Sequence, residues 1–112
     1  MDWKSELAEA GSNIENFRTA QSAASDGFSA MHRAALVPGA LDTKQKELIA
    51  LAIGISKQCI DCIGFHVQAA IKVGATRDEI AEVISVSMMM GGGPAYMYGV
   101  KALEAFDQLT AD

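Results

Sequence analysis

"LDTKQKELIALAIGISKQCIDCIGFHVQAAIKVG", residues 41–74, carries two helical periods with a break between them, and the break decides the fold. From Asp42, a residue suited to cap a helix start, apolar side chains recur at Leu48, Leu51, Ala52 and Ile55 as one stripe, which fades near Ser56. A second period opens around Cys59 and runs to Val73, with Gly74 where a helix C-terminus favours glycine. No stretch sustains the period-two alternation of a half-buried strand, and the β-branched residues fall inside helix-period patterns. The pattern predicts an all-α protein.

Working outward from this pair, the upstream chain predicts a first short helix over residues 2–10, stopped by Gly11. Ser12 and Glu15 then have the form of a capping box, opening a second helix to about Leu36 with an interruption near Asp26 and Gly27. "VPGALD", residues 37–42, separates it from the Leu48 stripe. Downstream, Thr76 and Glu79 form another capping box ahead of "IAEVISVSMMM"; the helix ends in "GGG", and Pro94 starts the last one, to about Leu109. Short connections favour antiparallel neighbours, so residues 1–112 read as one antiparallel helical bundle.

Composition narrows the function classes. Half of the 112 residues are hydrophobic, more than a chain of this length buries comfortably by itself, which predicts a homo-oligomer. The helix faces near residues 28–36 and 84–98 are the expected contacts. Nine Lys and Arg stand against 14 Asp and Glu, a net charge of -5 without a basic stripe, so nucleic acid is not an expected partner. "MDWKSELAEAG" places acids where a secretion signal has cations, and no segment stays apolar long enough to span a bilayer. The expectation is a soluble cytoplasmic protein without a membrane partner. In that compartment thiols are kept reduced, which favours a catalytic or metal-binding use of a cysteine pair over a structural staple.

Both cysteines and one of the two histidines lie in "CIDCIGFH", residues 59–66. On a helix, Cys59, Cys62 and His66 fall within roughly 60° of one another and share a face. Ile63, Ala70 and Val73 lie on the same side, so the cluster is expected to point toward packed structure. A thiolate there is favoured by the unpaired N–H groups and dipole of the helix start, and by His66. The histidine follows Cys62 by four residues, one helical turn, whereas Cys59 is about two turns away, so Cys62 is the better placed partner for a base. Glu47 sits at the flank of the preceding stripe, where an acid is harder to explain than on a solvent face, and antiparallel packing would let it reach the dithiol. Each residue also has a plainer reading: His66 as a satisfied half-buried histidine, Glu47 as a solvated helix residue. Structural zinc wants four ligands and this cluster offers three, so no metal is expected. Met88–Met90 read as core filler or subunit contact, "GGGP" as a tight turn, and His32 as structural.

Together these residues resemble the AhpD-like branch of the alkylhydroperoxidase and carboxymuconolactone decarboxylase superfamily. The resemblance runs through residues 39–93, about half of the chain. Its most specific part is a glutamate, eleven residues, a cysteine, two residues, a cysteine, three residues and a histidine, here Glu47, Cys59, Cys62 and His66. One departure is Asp61, where some members carry a histidine that assists the relay. The resemblance implies an all-helical fold, assembly as trimers or hexamers, and thiol-dependent reduction of hydroperoxides with no bound metal or organic cofactor. It also implies that the second cysteine attacks peroxide; the disulfide that such a cycle leaves must then be reduced by an external dithiol or thiol-disulfide reductant through exchange. General disulfide oxidoreduction is one alternative; a lactone decarboxylase, or a non-catalytic oligomeric module in which the thiols are incidental, is the other. The lactone-decarboxylating branch shares the fold without needing a dithiol, and the cysteines weigh against it.

Overall fold

The computed structural model describes residues 1–111. Five helices follow one another: α1 (Trp3–Ala20), α2 (Ser22–Leu36), α3 (Thr43–Ser56), α4 (Ile60–Lys72) and α5 (Arg77–Thr110). Among the described residues there is no strand. The N-terminal third departs from the sequence expectation. Gly11 does not stop a helix, and Ser12 caps none; α1 is capped by Asp2 and runs through both residues to Gln21, whose N–H donates to the Phe17 carbonyl. A mid-helix glycine costs about 1 kcal/mol relative to alanine, too little to end a helix held elsewhere by packing. Asp26 and Gly27 likewise lie inside an unbroken α2.

The remaining boundaries follow local chemistry. Asp42 and Gln45 cap α3 reciprocally, as Thr76 and Glu79 cap α5. Gly74, at φ 90°, takes the left-handed conformation that ends α4, and the Ala75 N–H returns to the Ala70 carbonyl. The long α5 is two helices in effect: Gly92 leaves helical geometry at φ 74° and ψ -159°, two residues before Pro94. The second half turns back on the first so closely that a Cβ on Gly99 would lie 2.7 Å from Ile84 Cγ2.

One apolar cluster joins α3, α4 and both halves of α5 through Leu51, Ile55, Ile63, Val67, Ile80 and Ala102. Trp3 inserts from α1, its indole N–H donating to Glu104 Oε1 at 2.7 Å. Gly64 makes room for it, since a Cβ there would come within 2.9 Å of the indole and 2.6 Å of Leu7. Helix α2 adds no buried residue at all. No helix among the described residues is long and apolar enough to cross a membrane.

Candidate active site

The break between α3 and α4 delivers the dithiol. Gln58 adopts the left-handed conformation at φ 57°, its N–H bonds the Ile55 carbonyl, and the Cys59 N–H reaches back to Gly54 at 3.0 Å. The chain thus reverses in three residues and starts α4 with Cys59 as its N-cap, the sulfur accepting from the Cys62 N–H at 3.2 Å. Cys59 and Cys62 are joined by a disulfide, with Cα atoms 5.2 Å apart. Gly54 permits this approach: a Cβ on it would stand 3.1 Å from Cys62 Cβ.

Glu47 and His66 meet across the α3–α4 interface. Glu47 is 4% exposed, and its Oε1 lies 2.7 Å from His66 Nδ1. A carboxylate only accepts, so Nδ1–H donates and Nε2 is left free to take a proton. A buried acid is costly unless paired, and this contact supplies the partner. The structure therefore brings together the four residues singled out from sequence. It corrects one part of that reading: Val73 is exposed at the end of α4, and Cys62 is exposed as well, while Cys59 is half-buried. Cys62, exposed at the helix start, lines an open cavity of about 630 Å³. Phe28, Phe65, Arg33, His32, Glu47 and His66 are among its lining residues.

Two residues near the dithiol carry more than their local sequence indicates. His32, expected to be structural, stacks on His66 with ring centroids 5.8 Å apart and planes 23° from parallel. Asp61 lies between the cysteines with its Oδ1 buried and without a donor. Its neighbour is the Glu6 carboxyl of α1, whose pKa is raised by a hydrogen bond to Asp61 and then by the Asp61 charge. Two facing carboxylates supply no donor, so that bond exists only when the pair holds a proton. Nothing local in the sequence links Asp61 to Glu6 or His32 to His66. Among the described residues no three His, Cys, Asp or Glu side chains are grouped as ligands for a metal ion.

The model of the carboxymuconolactone decarboxylase family matches residues 22–105. An uncharacterised protein of Cupriavidus necator is 42% identical over 110 residues, spanning 98% of this chain and 97% of its own length. A crystal structure of a carboxymuconolactone decarboxylase family protein from Legionella pneumophila superposes with a TM-score of 0.93 at 42% identity, covering 99% of this chain and 100% of that one. A family protein from Thermotoga maritima, described as a candidate for an antioxidative response, reaches a TM-score of 0.83 at 26% identity, over 93% of this chain and 89% of that one.

Proposed function

The chain belongs to the carboxymuconolactone decarboxylase family, and from that premise we propose that it is a thiol-dependent peroxidase whose Cys62 attacks hydroperoxides. The observation that carries this reading is the buried Glu47 carboxylate 2.7 Å from His66 Nδ1, in a helix where Cys62 precedes the histidine by one turn. In the reduced enzyme His66 Nε2 takes the Cys62 proton, and the resulting imidazolium is paired with Glu47. The Cys62 thiolate attacks one oxygen of the O–O bond; a sulfenic acid forms, and the other oxygen leaves as an alkoxide that recovers a proton from His66. Cys59 condenses with the sulfenic acid, releasing water and forming the disulfide. An external dithiol then exchanges with the pair and departs oxidised, which completes the electron balance. No step requires a metal or organic cofactor.

Exposure of Cys62 serves this cycle, because both the peroxide and the reductant must reach it. The same exposure supports a second reading, disulfide exchange with other thiols as the main activity. The antioxidative context suggested for the Thermotoga protein favours the peroxidase. We place the cycle in the cytoplasm, where reducing thiols are supplied continuously. We further assign the molecule to a homo-oligomer, a trimer or hexamer. Phe28, Met31, Met89, Met90 and Met97 are exposed, and this apolar display supports a subunit contact.

The test is to add a hydroperoxide to the fully reduced protein and follow free thiols and peroxide together. Equal loss of one peroxide per thiol pair, ending in the Cys59–Cys62 disulfide, supports the peroxidase. Unchanged peroxide beside rapid exchange with a small-molecule disulfide would replace it with the second reading.

A further inference from the structure

Neither the core nor the relay accounts for His32. It sits exposed on a helix that buries no residue, yet its ring lies over that of His66, centroids 5.8 Å apart and planes 23° from parallel. We propose that His32 is a positioning residue for the relay: its neutral imidazole, laid over His66, stabilises the imidazolium formed when Cys62 gives up its proton, and protonation of His32 switches that support off. Glu47 holds the edge of the His66 ring through Nδ1, leaving a face for His32. A cation within about 6 Å of an aromatic face is attracted by the ring quadrupole. Two stacked imidazoliums instead repel.

The charged groups around the stack fit a single cation within it. From α2, Arg33 lines the same cavity and opposes a second positive charge beside His66. From α3, Glu47 is already committed to His66. From α4, Asp61 lines the cavity beside Cys62, and from α1 the Glu6 carboxyl faces Asp61, whose proximity raises the Glu6 pKa. The site therefore accommodates the thiolate–imidazolium pair with His32 neutral, and loses it when His32 is charged.

This inference rests on the reading of His66 as the base for Cys62, and the experiment separates the two. Reduced protein is alkylated with iodoacetamide across a pH series, and labelling of Cys62 is followed by mass spectrometry, so that no peroxide enters the assay. His32→Ala is expected to slow Cys62 labelling about fivefold at neutral pH. His32→Phe, which keeps an uncharged π face, is expected to retain the wild-type rate there and to hold it to lower pH than the wild type does. His32→Gln, polar but without a π face, should behave as His32→Ala. Wild-type labelling in His32→Ala, or labelling in His32→Phe as slow as in His32→Ala, overturns the proposal. If His66→Ala labels slowly while His32→Ala does not, His32 alone loses its role. If His66→Ala labels at the wild-type rate, the assignment of the base fails and this inference fails with it.

Discussion

Helices α3 and α2 flank the same cavity and are held in place by different means. α3 sends Leu51 and Ile55 into the core with no exposed surface on either, and it carries the Glu47 carboxylate at the one polar point of a buried face. α2 buries nothing. It is tied by the Arg18–Asp26 ion pair to α1, and its C-terminal end is held by Thr43 Oγ1–H donating to the Leu36 carbonyl and Lys46 to that of Val37. The contrast separates two demands of the site. In the proposed cycle, proton transfer between Glu47, His66 and Cys62 needs fixed distances, and those residues stand on helices clamped by packing. His32, Arg33 and Phe28, which line the cavity, stand on a helix held by surface contacts alone.

The largest expected difference between the two helices is in stability. Leu51→Ala removes a fully buried side chain and should cost about 2–5 kcal/mol in denaturant unfolding. Met31→Ala on α2 removes a 62% exposed side chain and should cost under about 0.5 kcal/mol in the isolated subunit. If α2 forms a subunit contact, the Met31 effect grows with protein concentration, because assembly then contributes to stability. Equal costs at high dilution would break the comparison, since α2 would then be carrying core.

A smaller effect is expected where α1 meets the start of α4. Raising the Glu6 pKa means that the folded state holds a proton that the unfolded chain releases at lower pH. Stability should therefore fall as pH rises from the ordinary glutamate value through the raised one, and level off above it. Glu6→Gln gives Asp61 a permanent donor, so it should flatten this slope and raise the unfolding midpoint at neutral pH. Urea melts of both proteins across pH 3–8 check it; an unchanged slope would remove the shared proton from the account.

How far the sequence could be read follows the same division. The α3–α4 break, the Asp42 and Thr76 caps, and the restart after Gly92 are local signals, each complete within a few residues, and the structure contains all of them. The Glu47, Cys59, Cys62 and His66 spacing was legible because two adjacent helices carry it and a short connection forces them side by side. Gly11 misled because a helix breaker acts only where packing does not outweigh about 1 kcal/mol, and α1 is anchored by Trp3 and Leu7. Helical phase also failed to show the exposure of Cys62, which lies in the first turn of α4, where one face of the helix is not yet covered by its neighbours. The His32–His66 stack, the Glu6–Asp61 pair and the close approach at Gly54 are contacts between helices, set by tertiary geometry that no local pattern encodes.

The central claim is that the thiol one turn from His66 reacts first, the reverse of the order usual in thioredoxin-like pairs, where the first cysteine is the nucleophile. Reduced Cys59→Ser and Cys62→Ser proteins, each given hydroperoxide in the presence of dimedone, report sulfenic acid at the single remaining cysteine. Rapid labelling of Cys62 in Cys59→Ser, with little at Cys59 in Cys62→Ser, is the predicted result. Faster labelling of Cys59 would contradict it and hand control of reactivity to the helix start instead of the histidine.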